Sequence, residues 1–119
     1  GVEARLVAEA VVELPSHVEE GLYHIAVEAL NNALKHAAAR VVSVTLLQTA
    51  VDVQLVVTDD GQGFDPDDVP AEHMGLAIMR ERVDAIGAAM TITSQPGAGT
   101  SIVVTWPIAQ TRGDSHAKS

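Results

Sequence analysis

The chain predicts an α+β fold: a two-layer α/β sandwich in which a mixed five-stranded sheet carries both helices on one face. Three observations lead there. Strand-like and helix-like apolar patterns follow one another in the order β-α-β-β-α-β-β. The clearest strand candidates are β-branched or strictly alternating, as a half-buried pleated surface requires. Two helices are too few to cover both faces of such a sheet, so they pack together on one.

Residues 2–12 alternate loosely and predict a strand, which Pro15 stops. Ser16 with Glu19 three residues on forms a capping-box pattern, and the helix it opens runs to about Ala38. At about 100° per residue, Leu22, Ile25, Ala26, Ala29, Ala33 and Ala37 make its apolar stripe. Val41 to Leu47 is a β-branched strand. Gln48 to Ala50 is a tight connection that pairs it, as a hairpin, with Val51 to Thr58. Asp59 to Glu72 is a loop rich in Gly, Pro and Asp. A second helix runs from about Met74 to Ile86, with Gly87 as its stop. Ala89 to Ser94 and Thr100 to Pro107 are strands around a turn at 95–99. Ser43, Thr45, Asp52, Gln54 and Thr105 belong to the face the helices leave open. The domain is expected to span residues 1–109, with a polar, frayed tail from 110 to 119.

Composition narrows the function. The 119 residues suffice for one domain with one core. Cysteine is absent, so disulfides and cysteine-built metal sites are excluded. No apolar run is long enough to span a membrane, and no signal-peptide pattern opens the chain. A cytoplasmic location without direct membrane contact is therefore expected, any anchor belonging to a parent protein. A formal charge of −9 with seven Lys and Arg argues against a nucleic-acid partner, which needs a basic face. A single nucleotide remains compatible with this charge if a metal ion and backbone N–H groups neutralise its phosphates.

The most informative run is Asp59-Asp60-Gly61-Gln62-Gly63-Phe64, at the end of an alternating strand. Asp59 offers a carboxylate to an exocyclic amine, and Gly61 and Gly63 allow backbone to approach a flat ring or a phosphate. The same residues would equally serve an ordinary turn. On the first helix, Glu28 and Asn32 are four apart and reach the same place, with Lys35 one turn on. A carboxylate, a carboxamide and an ammonium in line suit hydrated Mg²⁺ and a phosphate chain, and also describe a plain solvated face. Asn31-Asn32 is a poor propensity choice in mid-helix, and the stripe borders the apolar face instead of opposing it. His36 either meets phosphate or complements the helix dipole. His17, His24, His73 and His116 form no metal-ligand pattern. The loop from Gly63 to Met74 reads as a lid or as a surface loop, and Gly75 would let the start of the second helix approach a phosphate. Gly97-Ala98-Gly99-Thr100 is a hairpin turn that needs no function; if the strands ending at Asp59 and starting at Thr100 are neighbours, it also sets the Thr100 hydroxyl within reach of Asp59.

Taken together, these blocks resemble the ATP-binding domain of sensor histidine kinases, in the GHKL superfamily shared with gyrase, Hsp90 and MutL. Glu28-Ala29-Leu30-Asn31-Asn32-Ala33-Leu34-Lys35-His36-Ala37 looks like the N box, and Asp59-x-Gly61-x-Gly63 like the G1 box. His73-Met74-Gly75-Leu76-Ala77-Ile78-Met79-Arg80-Glu81-Arg82 is similar to the G2 region of the nitrate/nitrite-sensor class. Gly97-x-Gly99-Thr100 matches the last glycine-threonine motif. The resemblance covers about residues 1–107 and implies the Bergerat fold. It implies that Asp59 binds the adenine amine, directly and through water shared with Thr100. It implies Asn32 as Mg²⁺ ligand, Lys35 and His36 near the phosphates, and Gly61, Gly63, Gly75 and Leu76 shaping pocket and lid. Gly99 belongs to the same nucleotide-binding set.

The chain departs from the family pattern in lacking a separate F box and in keeping one obvious glycine, Gly75, in the G2 region. Glu28 matches the water-activating residue of the clamp ATPases. A kinase must not spend ATP on water, so Glu28 is expected to organise Mg²⁺ and its water shell. The implied reaction sends the γ-phosphoryl of ATP to a histidine on a separate dimerisation domain, with a response regulator as an indirect partner. The chain has no room for that domain and is expected not to autophosphorylate. An anti-sigma-factor serine kinase, a clamp ATPase and a degenerate nucleotide-binding docking module are the rival readings.

Overall fold

The computed structural model describes residues 3–8, 14–35, 39–63 and 75–108. Its elements are β1 (Glu3–Ala8), α1 (Ser16–Lys35), β2 (Val41–Gln48), β3 (Asp52–Asp59), α2 (Leu76–Ala85), β4 (Ala89–Ser94) and β5 (Thr100–Pro107). The five strands form one sheet in the order β1-β2-β3-β5-β4. β1 lies parallel to β2, and every other pairing is antiparallel, so the sheet is mixed as expected.

One face of the sheet is apolar. Val42, Val53, Leu55, Val57, Ile102, Val104 and Trp106 are buried on it at alternate strand positions. α1 covers it with Val18, Leu22, Ile25, Ala29 and Ala33, and α2 with Leu76, Met79 and Val83. Each large aliphatic side chain buried here contributes roughly 1.5–3 kcal/mol of transfer free energy, which makes this seam the main source of stability. Ser43, Thr45, Asp52, Gln54 and Thr105 are half-buried and alternate with the core residues, on the face opposite the helices. The α1 stripe read from the sequence holds through Ala33; Ala37 lies outside the described residues.

The ends of the helices refine the sequence reading. α1 does not begin with the expected capping box. Ser16 is exposed, and no side-chain hydrogen bond joins it to Glu19 among the described residues. The Pro15 carbonyl instead accepts the N–H groups of Val18 and Glu19, each at 3.0 Å. Proline brings a fixed φ to this position, and its carbonyl serves two of the donors that a helix start leaves unpaired. α2 starts at Leu76, after Gly75 in the left-handed region at φ 66°; Met74, the expected start, lies outside the described residues. Its far end follows expectation: Gly87, at φ 73°, donates to the Asp84 carbonyl, and Ala88 to that of Val83.

Two contacts fasten the helices to each other and to the sheet. Gly21 on α1 is buried, and a Cβ there would stand 2.6 Å from Ile86 Cγ2, so the absence of a side chain sets how closely α1 meets the end of α2. The Trp106 indole N–H donates to the Ile86 carbonyl at 3.0 Å, tying that same end to β5.

Candidate functional site

The register of the sheet assembles the polar end of the molecule. Val42 pairs with Asp59, Asp59 with Thr100, and Thr100 with Ser94. A single row therefore crosses four strands on the helix side of the sheet, where Val57 and Ile102 two residues away are core. Only Val42 of this row is apolar, so a carboxylate and two hydroxyls lie at the mouth of an apolar layer. The expectation that Thr100 sits beside the end of the Asp59 strand is met by this pairing.

Asp59 accepts a hydrogen bond from the Gly61 N–H at 2.8 Å through Oδ1. Burial pushes its carboxyl above the usual carboxylate range, the Gly61 N–H opposes that shift, and the neighbouring Asp60 charge adds to it. Asp60 points the other way. Its Oδ1 accepts the N–H groups of Arg40 at 2.8 Å and Val41 at 2.9 Å. Those two donors, Val41 first, hold its carboxyl below the usual range. Adjacent aspartates thus divide the work: Asp60 clamps the entry to β2, and Asp59 is left facing the row.

The glycines act on backbone. Gly63 has φ 66°, and a Cβ on it would run into the carbonyls of Gln95 and Gly99. Gly99 has φ 78°, and a Cβ there would run into the Asp59 carbonyl. The Gly97 N–H donates to the Gln62 carbonyl. The loop after β3 and the turn between β4 and β5 are therefore packed on each other, and Gly63 and Gly99 are the residues that allow it. Gly61 contributes its N–H to Asp59, as in the ordinary turn that the sequence left open beside a close approach to a ligand.

A cavity of about 470 Å³ opens at this end, and Asp59, Ser94 and Thr100 of the row line it together with Thr58, Ser101 and Thr93, which alternate with the core residues on the face opposite the helices. Its described walls come from the strands and the turn. Glu28 and Asn32 lie half-buried on α1, and Lys35 is exposed at the last residue of that helix. The Glu28 carboxylate lies against Gly75, its Oε1 occupying the place a Cβ of residue 75 would take. Leu76 is buried in the core. His36, at 36–38, and the expected lid, at 64–74, lie outside the described residues, as does the expected tail from 110.

Among the described residues no three His, Cys, Asp or Glu side chains converge as a metal site. One carboxylate and one carboxamide on a helix fit an ion such as Mg²⁺, which keeps most of its water and takes few protein oxygens. No described helix is long and apolar enough to cross a membrane.

Ser94 escaped the sequence reading. It is buried, with Oγ 3.0 Å from the Gly99 carbonyl oxygen and 2.8 Å from Thr100 Oγ1. Its signal was available: a strand ending at Ser94 and another starting at Thr100, joined by a short turn, place the two residues opposite each other. Asp60 was also passed over, because the backbone donors it binds are 19 and 20 residues away.

A family model described as histidine kinase-, DNA gyrase B-, and HSP90-like ATPase matches residues 17–110. The chain is similar to the nitrate/nitrite sensor protein NarX of Escherichia coli (strain K12), at 37% identity over 107 residues, covering 87% of this chain and 18% of that protein. It is also similar to the sensor protein VraS of Staphylococcus saprophyticus, at 37% over 105 residues, covering 88% of this chain and 30% of that one. The chain thus spans less than a third of either relative. Among solved structures, the histidine kinase domain of the Erythrobacter litoralis EL346 blue-light activated histidine kinase matches with a TM-score of 0.80 at 29% identity, covering 93% of this chain and 54% of that one.

Proposed function

The chain belongs to the family of histidine kinase-, DNA gyrase B- and HSP90-like ATPases, and we propose that it is the Mg-ATP-binding catalytic domain of a two-component sensor histidine kinase. In this reading it donates the γ-phosphoryl of ATP to a histidine on a separate dimerisation domain of its parent, from which a response regulator is served in turn. The relatives named above are sensor proteins and a histidine kinase domain, in keeping with that role.

The observation that carries the reading is the pairing of Asp59 with Thr100 at the mouth of the apolar layer. The Gly61 N–H holds one Asp59 oxygen and leaves the other to accept from the exocyclic amine of adenine. The apolar layer behind the pair takes the flat base. From there the phosphates extend toward α1. Lys35 brings a positive charge at the end of that helix, His36 follows it in sequence, and Asn32 and Glu28 are the residues that would hold Mg²⁺. The ion, when bound with the nucleotide, supplies neutralisation of phosphate charge. Phosphoryl transfer asks little covalent chemistry of the protein and depends on positioning and charge. The task of these side chains is accordingly to fix the base at one end and the phosphates at the other.

Calorimetric titration with ATP and Mg²⁺ tests the reading. The wild-type chain binds, and Asp59→Asn loses about tenfold to a hundredfold in affinity, the worth of a hydrogen bond to a charged group. Undiminished binding by Asp59→Asn removes the adenine assignment. The isolated chain acquires no histidine phosphate on incubation with ATP.

A further inference from the structure

We propose that Ser94 is a positioning residue that makes the Thr100 hydroxyl a hydrogen-bond acceptor only, and so biases the pocket toward a purine with an exocyclic amine over one with an exocyclic carbonyl. The inference rests on the reading of Asp59 and Thr100 as the base-binding pair.

A hydroxyl has one hydrogen to give and two lone pairs to receive with. Ser94 Oγ lies 3.0 Å from the Gly99 oxygen and 2.8 Å from Thr100 Oγ1. A carbonyl can only accept, so the Ser94 hydrogen goes to Gly99. The Thr100 hydrogen is then directed to Ser94 Oγ. The chain of donation runs from Thr100 to Ser94 to the Gly99 carbonyl. Its terminus is fixed, because Gly99 is held at φ 78° against the Asp59 backbone. Ser94 is 7% exposed and is the buried polar side chain among the described residues, so water competes poorly for these bonds.

The consequence falls on the cavity that Asp59, Ser94 and Thr100 line together. With its hydrogen committed, Thr100 offers lone pairs alone. An ionised Asp59 likewise only accepts. Both groups welcome an amine, or a water that donates to them, and both repel a carbonyl oxygen. A threonine free to rotate would not discriminate in this way, since it could turn and donate. Ser94 touches no base in this scheme; it acts through Thr100.

The test compares Mg-ATP with Mg-inosine triphosphate, whose base carries a carbonyl where adenine has its amine, by titration of the full chain. Wild type prefers ATP. Ser94→Ala narrows the ratio of the two affinities by about threefold to tenfold, the range of one neutral hydrogen bond. Ser94→Thr keeps an acceptor oxygen and restores the wild-type ratio. In a Thr100→Val background, Ser94→Ala no longer changes the ratio, because no hydroxyl remains to be oriented. Should Ser94→Ala not fold, Ser94→Cys replaces it: sulfur accepts weakly, and the ratio narrows again. A wild type that prefers ATP together with an unchanged ratio in folded Ser94→Ala overturns the role of Ser94 and leaves the nucleotide reading standing. A wild type that binds neither nucleotide overturns both.

Discussion

Glu28 and Gly75 meet across the two helices: an oxygen of the Glu28 carboxylate occupies the space into which any side chain at position 75 would grow. The contact places a negative charge at the start of α2, where the unpaired N–H groups of a helix favour it. It also explains why this junction accepts glycine on two separate grounds, the left-handed φ of 66° and the lack of room.

Gly75→Ala is therefore expected to cost about 1–2 kcal/mol from the backbone conformation alone, with an added cost from collision with Glu28. Glu28→Ala in the same chain relieves the second part and not the first. Urea unfolding of the two single variants and the double variant measures the coupling. Strict additivity shows that the carboxylate moves aside freely.

Asp59 is a source of instability in the ligand-free chain at neutral pH. Its folded-state carboxyl titrates above the unfolded value of 3.8, chiefly through burial. The sign follows: the folded protein holds the proton more tightly, so stability is fullest below that value and falls as pH rises through the higher folded one. Asp59→Asn keeps an acceptor for the Gly61 N–H and removes the charge. It should raise the Tm of the ligand-free chain at pH 7, and the gain should vanish toward pH 3. A lower Tm at pH 7 refutes this.

Asp60 titrates with the opposite sign. Its carboxyl is held below 3.8 by the Val41 and Arg40 N–H groups, so its contribution is present above that value and lost as pH falls through the folded one. Asp60→Ala should lower the Tm at pH 7 and approach wild type in acid, whereas Asp60→Asn, which keeps one acceptor, should fall between. Thermal melts from pH 2.5 to 7 decide it; a deficit that persists unchanged in acid counts against the assignment.

The turn between β4 and β5 offers an internal control. Gly97 and Gly99 both have positive φ, but a Cβ meets nothing within 4 Å at Gly97, and at Gly99 it meets the Asp59 carbonyl. Gly97→Ala is expected to cost about 1 kcal/mol and Gly99→Ala about 3 kcal/mol or more, since backbone cannot rotate away as a side chain does. Similar costs at the two positions contradict the packing of the turn on the Asp59 loop.

Much of this architecture was legible from residue patterns because it depends on local periodicity. The α1 stripe, the alternation in β3 and Gly87 as the end of α2 each follow from one segment read alone. In the row Val42–Asp59–Thr100–Ser94 the two outer pairings follow from hairpin register counted from the turns, whereas Asp59 with Thr100 joins β3 to β5, strands that no hairpin connects. What escaped the reading is long-range. Ser16 loses its capping role because Pro15 already supplies the acceptor. The partners of the Asp60 carboxylate come from the far end of another strand. Gly63 and Gly99 look like ligand-facing glycines in one dimension, and only the approach of two loops reveals them as spacers between carbonyls.

Trp106 is the one tryptophan of the chain, and its indole is bonded to the last turn of α2. The molecule thus carries an optical gauge of its own on the seam between helix and sheet, at the opposite end of α2 from Gly75. Emission from that indole reports whether α2 stays seated at its anchored end, without any label being attached.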